Sequence, residues 1–476
     1  MQKYGKKATK ALAVGLTALV GLASTPASAT EGYFQNGYGA RSKALAGAGV
    51  ADSRDATAAA LNPAGLVHVT NQTNAAVSIF SPRREETGTR TGPFPGATPT
   101  GTVESGYEYF RIPNMAMSYR LDPNPWVDVI ALTVYGNGGM NTSYPDVFRS
   151  APTAAPAPDC FAPPAGPAIG TRTGVFCNGQ AGVNLEQAFM SIAMAKQINP
   201  MISVGVAPII ARQVIELDGL QAFSGLSTVP GAVSNQGQEE SWGVGVRAGV
   251  EITPMDNVRF GVAGNSRIFM EEFSEYRGLF AEQGDFDVPP SIQVGLAVDV
   301  MPNLTMMVDY KHIWYSTVDS VGNPSANILN CTATGVGTPA AGAGCLGADN
   351  GAGFGWNDIS VIKVGMEWRP AERTAVRFGY GYSENPIGSA DVMFNIIAPG
   401  VVEHHIDGGI QLPIFANWDL EIAGMYSFDN SVTGFELPGV GNPTQQIEIG
   451  MHQYEATIGM TYHFDGMSPL QALFGG

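Results

Sequence analysis

What most constrains this chain is how its connections are sorted. Fourteen segments in which apolar residues alternate with polar or small ones lie at approximately 72–82, 110–120, 126–135, 184–198, 201–214, 241–252, 258–269, 291–300, 304–315, 359–369, 374–383, 404–412, 417–427 and 454–464. In one of them Trp242, Val244, Val246, Ala248, Val250 and Ile252 share a face, and Ser241, Gly243, Gly245, Arg247, Gly249 and Glu251 share the other. Such alternation predicts strands with one apolar face. Short turns, among them Asn199-Pro200, Pro254-Met255-Asp256-Asn257 and Met301-Pro302-Asn303, alternate with long loops at 83–109, 136–183, 215–240, 270–290, 316–358, 384–403 and 428–453. An even number of strands, with short turns at one end and long loops at the other, predicts an all-β fold, a 14-stranded antiparallel transmembrane β-barrel spanning 72–464. In water, an apolar outer face of this size would drive aggregation, which argues against a soluble sandwich or propeller. Aromatics at strand ends (Trp126, Tyr135, Trp314, Tyr315, Trp368, Trp418, Tyr462, Phe464) are expected in interfacial girdles.

Residues 1–29 read as an export signal: Lys3, Lys6, Lys7 and Lys10, an apolar stretch from Ala11 to Ala23, then Ala27-Ser28-Ala29 as a small-residue cleavage site. The apolar stretch falls short of the about 20 residues a membrane-spanning helix needs. The formal net charge of −17 becomes more negative once those lysines are removed, which argues against nucleic acid or anionic surfaces as partners. The cysteines fall as two local pairs, Cys160/Cys177 and Cys331/Cys345, each in a long loop. In an exported protein this predicts two loop-stapling disulfides, and neither pair has the spacing of a metal site.

Residues 30–71 lack the strand pattern. They are rich in small residues, carry Asp52, Arg54 and Asp55, and contain Asn62-Pro63-Ala64-Gly65. Pro63 fixes its own φ and biases Asn62 away from the helical region, so this is turn chemistry. A segment too polar for lipid and too short for its own core is expected to sit inside the barrel as a hatch. The third strand alternates poorly, with Ile130, Leu132 and Val134 on the face opposite Val129 and Ala131, and then meets Gly136-Asn137-Gly138-Gly139. Those glycines permit a bulge or bend, or simply begin the next loop.

Taken in this order, the residues resemble the FadL-type outer-membrane transporters of long-chain fatty acids and aromatic hydrocarbons. The resemblance rests on Ala40-Arg41-Ser42-Lys43-Ala44-Leu45-Ala46-Gly47-Ala48-Gly49 ahead of Asn62-Pro63-Ala64, and on Gly136-Asn137-Gly138-Gly139-Met140-Asn141 after the third strand. It is supported by Val288-Pro289-Pro290-Ser291, Trp314-Tyr315-Ser316 and Arg377-Phe378-Gly379-Tyr380. It implies a hatch gate at Asn62, Pro63 and Ala64, and a lateral gate at the kink Gly136, Asn137, Gly138 and Gly139. Ile130, Leu132 and Val134 would line the substrate path. It further implies a monomer in the outer membrane of a Gram-negative bacterium, in contact with lipid and lipopolysaccharide, passing a hydrophobic small molecule without a cofactor or metal. One departure is the tail 465–476 beyond the strand-terminal Phe464.

Other chemistry has a weaker footing. In Glu403-His404-His405-Ile406-Asp407, His405 and Asp407 share a strand face, but no nucleophile is suggested nearby, so lumen polarity explains them and no catalytic residue is assigned. Lys311, Lys363, Arg247 and Arg377 have two functional readings, pairing with Asp52 and Asp55 of the hatch or meeting a substrate carboxylate, but for each one taken singly the ordinary charge of a polar lumen is the favoured explanation. The transport expectation is long-chain fatty acids, with aromatic hydrocarbons as the alternative. A surface adhesin working through its long loops and a barrel lipid hydrolase are the rivals.

Overall fold

The structure, a computed structural model, describes residues 30–92, 96–121, 125–147, 173–333 and 338–464. Residues 1–29, expected to be an export signal, the tail 465–476 and Cys160 lie outside the described residues.

Fourteen long strands form the wall: β1 (Gln72–Arg90), β2 (Phe110–Arg120), β3 (Val129–Tyr144), β4 (Ala181–Asn199), β5 (Ile202–Asp218), β6 (Glu239–Met255), β7 (Val258–Asn265), β8 (Ser291–Met301), β9 (Leu304–Ile313), β10 (Ile359–Ala371), β11 (Thr374–Ser383), β12 (His404–Phe415), β13 (Trp418–Phe435) and β14 (Gln445–His463). Each pairs antiparallel with its sequence neighbour, and β14 pairs with β1 from Gln72↔His463 to Arg90↔Gln445, closing the barrel. Two short pieces, Gly101–Glu104 and Phe269–Met270, pair on β1 and β6.

Several strands run further than the alternation predicts. β1 continues through Arg83, Arg84, Glu85 and Glu86 to Arg90, and β3 continues to Tyr144. Beyond the bilayer the outer face need not be apolar, so the period-2 hydrophobic signal ends while the hydrogen-bond ladder continues.

The outer wall exposes Ile79, Val244, Val262, Val308, Ile362 and Ile458, whereas Arg247, Asp309, Lys363, Glu367, Arg377 and Glu421 are buried inside. That is the apolar-out, polar-in alternation of a membrane barrel. Two of the aromatics expected in girdles face inward instead: Tyr135 packs on Tyr38, and Tyr315 packs between Tyr33 and Trp356. Strand parity puts Tyr135 on the lumen side, while Tyr315 opens the turn Tyr315–Thr317 beyond the end of β9, and the N-terminal segment packs on both. Trp126, Trp368 and Trp418 do face outward.

Residues 30–70 fill the lumen. The helix α1 (Gly39–Ala44) packs on β1 and β11–β14, the turn Ala56–Ala60 on β1–β4, and the turn Pro63–His68 on β3–β6. The fit is close enough to dictate wall residues. A Cβ on Gly205, Gly249, Gly261 or Gly379 would lie 2.1–2.4 Å from backbone or side-chain atoms of Pro63, Asn62, Val50 or Ala46. The small residues on the polar face of the strands are therefore clearance for this segment.

Candidate functional site: a break in the barrel wall and the cavities behind it

The ladder between β2 and β3 runs from Arg120↔Val129 to Asn114↔Tyr135 and stops there. The next residue but one on β3 is extra. The β3–β4 register steps from Gly136↔Ala188 to Gly138↔Gln187, leaving Asn137 as a bulge. On the β2 side Pro113 has no amide hydrogen to donate.

The edge of β3 freed at this point is taken by the N-terminal segment. Gln35 N donates to the Asn137 carbonyl (3.0 Å) and Gly139 N donates to the Tyr33 carbonyl (3.0 Å). Phe34 bridges Gly138, where a Cβ would lie 1.9 Å from the Tyr33 carbonyl oxygen. The bulged Asn137 is buried; its Oδ1 accepts from Tyr38 Oη (3.1 Å) and its Nδ2 donates to Gln187 (2.9 Å). One residue thus ties the wall to the segment through both backbone and side chain.

From sequence the glycines read equally as a bulge or as the start of the next loop. The strand in fact bulges at Asn137 and continues to Tyr144, and the neighbouring apolar residues face the other way from the expectation. Ile130, Leu132 and Val134, expected to line a path, face outward; Ile130 is exposed, and Val134 packs with Met190 and Leu132 away from the lumen. Val129 and Ala131 face inward and pack with Ala59 and Leu66 of the segment. The correction is one of strand parity, which a poorly alternating strand leaves open.

Asn62, Pro63 and Ala64 sit deep in the lumen. Asn62 is fully buried; its side chain accepts from Ala64 N (3.1 Å) and donates to the Val50 carbonyl (2.7 Å) and the Val250 carbonyl (3.3 Å). Pro63 starts the turn, where a missing amide hydrogen costs nothing.

The lumen cations are engaged by carboxylates of the segment and the wall. Lys311 and Lys363 both grip Glu31 (2.6 and 2.5 Å), a carboxylate of the segment other than Asp52 and Asp55. Asp52 holds Arg41 (2.7 Å), Arg54 (2.7 Å) and Arg259 (2.8 Å), and Asp55 caps its own turn at Thr57 N. Glu367 joins Arg41 to Arg377 (2.9 and 2.8 Å). Arg247 bonds Asn265 and lies over the rings of Tyr38 and Tyr135. His405 is bonded to Asp407 (2.5 Å), whose other oxygen accepts from Asn36 (2.9 Å), so this pair helps anchor the segment.

Pockets open along the lumen, each partly open to solvent, which their volumes include. At the long-loop end, one of about 490 Å³ is lined by Phe176, Leu220, Phe223, Leu279, Phe280, Ser320, Leu346, Phe354, Phe394 and Ile397, with neighbouring backbone. Phe223 meets Phe176 and Phe394 edge-on (5.4 and 5.6 Å), and Ser320 is already donating to the Asp285 carbonyl (2.5 Å). Its lining among the described residues carries no charge.

A second cavity of about 280 Å³ shares Ile397 with the first and reaches Gly139, Met140 and Asn141 of β3, with Trp356 and Arg84 also in its wall. At the short-turn end a third, of about 470 Å³, is lined by Arg41, Arg54, Arg369, Arg373, Arg377, Glu367 and Glu421. The apolar cavity is built by loops distant in sequence, and no spacing in the chain announces it.

The first cavity borders an acidic loop. Burial and the neighbouring Asp287 carboxylate push Asp285 up to about 7, against the opposing pull of Arg267. Arg267 bonds both carboxylates (3.1 and 2.5 Å). Of the predicted disulfides, Cys331–Cys345 is formed; for the other, Cys177 is buried and Cys160 lies outside the described residues.

No protein-family model and no curated protein sequence matches the chain. Solved structures do. The Pseudomonas putida toluene transporter TodX matches with a TM-score of 0.61 at 15% identity, covering 91% of this chain and 100% of its own. A Pseudomonas aeruginosa FadL homologue gives 0.62 at 13% over the same shares. The Ralstonia pickettii toluene transporter TbuX gives 0.55 at 14%, covering 90% and 99%. The chain is thus a closed, fourteen-stranded transmembrane β-barrel. Its fold is that of the FadL-type transporters and hydrocarbon channels.

Proposed function

We propose that this protein is a passive transporter that carries hydrophobic small molecules across the outer membrane by a sideways route. The observation that carries the reading is the break in the wall: the β2–β3 ladder ends at Asn114↔Tyr135, and residues 33–35 occupy the edge it releases. The cargo binds first in the ring-walled cavity beneath the long loops and passes Ile397 into the second cavity. It then displaces Tyr33 and Phe34 and leaves through the wall beside Asn137 into the bilayer.

Residues 30–71 act as the hatch, with Asn62, Pro63 and Ala64 holding its lower turn. The charged third cavity opposes a straight passage, since apolar area gains about 25 cal/mol per Å² on leaving water and gains nothing among guanidinium and carboxylate groups. Nothing in this route consumes energy, so downstream consumption of the cargo sets its direction. The protein works as a monomer, with its apolar belt against lipid and lipopolysaccharide.

On substrate, the first cavity favours an uncharged hydrocarbon, in keeping with TodX and TbuX, which are toluene transporters. A second reading, long-chain fatty acids, is supported by Arg84 in the wall of the second cavity, where a guanidinium can hold a carboxylate. The test is uptake of labelled toluene and labelled oleate by cells lacking their own transporters, with and without this protein. Protein-dependent toluene uptake alone selects the first substrate, and oleate uptake lost on Arg84→Met selects the second. Uptake of neither defeats the proposal.

A further inference from the structure

The apolar cavity beneath the long loops has walls from five separate connections, which hydrogen bonds such as Gly278 N to the Ala232 carbonyl and Glu282 N to the Ala348 carbonyl join to one another. One joint of this framework is covalent, a small disulfide ring. Cys331 and Cys345 close a hairpin in which Thr332 and Ala341 pair across. The residue directly after Cys345 is Leu346, a cavity wall residue.

Leu346 is also the point at which this loop is stitched to another. Its amide donates to the Leu226 carbonyl (3.0 Å), its own carbonyl accepts from Thr228 N (2.9 Å), and Ala340 N donates to the Ser227 carbonyl (2.8 Å). The loop so joined supplies Leu220 and Phe223 to the cavity, while the chain beyond Leu346 supplies Ala352, Gly353 and Phe354. Next to Cys345 the ring packs tightly on the chain ahead of it: a Cβ on Gly344 would lie 1.8 Å from the Asn327 carbonyl oxygen. Cys345 is fully buried beside this seam.

We infer that the Cys331–Cys345 disulfide is a positioning element for cargo binding, holding Leu346 and the 220–228 loop in the arrangement that forms the cavity, so that the binding-competent transporter is the oxidised one. This rests on the cavity being the first cargo site. A covalent ring ahead of Leu346 restricts the loop before any ligand arrives, and preorganisation of this kind raises affinity by removing an ordering cost from the binding step. The barrel itself is closed by strand ladders that do not involve the loop, so opening the disulfide leaves the wall intact.

The experiment uses the full-length protein in detergent, oxidised, reduced with a phosphine, and as the Cys331→Ser/Cys345→Ser double variant. Toluene and oleate affinities are measured by equilibrium dialysis, and hydrogen exchange is followed at Thr228 and Leu346. The closed barrel is checked by its heat-modifiable gel mobility. The expected result is a Kd raised roughly tenfold or more for the reduced and double-variant forms, with faster exchange at Thr228 and Leu346 and unchanged barrel mobility. Reoxidation of the reduced wild-type protein should restore both readouts.

If the oxidised protein binds either probe and both opened forms bind it equally well, the inference is overturned while the transport proposal stands. Unchanged exchange at Thr228 and Leu346 overturns it too. If the oxidised protein binds neither probe, the transport proposal falls and takes this inference with it.

Discussion

Replacing Glu31 by alanine should release the N-terminal segment from the wall. Glu31 is completely buried, and its two oxygens hold the ammonium groups of Lys311 (2.6 Å) and Lys363 (2.5 Å). Truncating the carboxylate leaves two buried cations facing each other, and breaking a buried pair this way costs about 3–5 kcal/mol. Lys363 keeps one partner, the Asn36 carbonyl at 2.8 Å, which places the loss toward the lower end. At about 1.4 kcal/mol per decade, some 3 kcal/mol makes the segment open roughly a hundredfold more often. The assay is hydrogen exchange at Gln35 and Gly139, whose amides bond across the break, together with conductance in planar bilayers. Adding Lys311→Met and Lys363→Met to the variant should recover most of the protection, because an apolar cluster replaces the stranded charges. Exchange within about threefold of wild type in the single variant would refute the reasoning, since it would mean that the ion pairs do not hold the segment.

Asn62→Ala removes a buried side chain that makes three hydrogen bonds. It should cost about 2 kcal/mol, read as faster exchange at Ala64 while strand amides stay protected. Gly138→Val puts a side chain where the Tyr33 carbonyl lies, so it should force residues 33–35 off β3 and raise bilayer conductance without altering heat-modifiable mobility. Asp285 holds its proton in the fold up to about 7, against an ordinary value of 3.8. The unfolded loop therefore ionises first as pH rises, and stability contributed by the protonated carboxyl is lost between about pH 4 and pH 7. Intrinsic-rate-corrected exchange across 267–287 should be slower at pH 5 than at pH 8, and Asp285→Asn should remove the difference, an effect of about 1–2 kcal/mol after solvent screening.

The wall was largely legible because a barrel has only two faces and one period. Ser241 to Ile252 alternates without error, and its inward glycines and Arg247 are where the alternation puts them. Legibility ended where a second constraint replaced lipid. The charged stretch Arg83 to Glu86 carries on the β1 ladder, but outside the bilayer nothing forces it to look like a strand. Val129 to Tyr135 has apolar residues on both faces because the inward one packs on Ala59 and Leu66, so parity could not be read from hydrophobicity. The bulge at Asn137 was visible in its flanking glycines, but not the reason for them, which is the approach of the Tyr33 carbonyl. Glu31 gave no sign of its role, since a lone acidic residue outside any pattern resembles any other until β9 and β10 bring Lys311 and Lys363 to it. The ring-walled cavity is assembled from loops whose residues have no periodic relation at all.

The most direct test of the central claim is uptake of labelled toluene and labelled oleate by cells lacking their own transporters. It compares wild-type protein, the deletion of Asn62-Pro63-Ala64 and no protein, with surface expression matched. The account predicts saturable uptake of at least one probe that requires the protein and is disturbed by the deletion. Folded, surface-expressed protein that passes neither compound would contradict it and return attention to the long loops as the working parts.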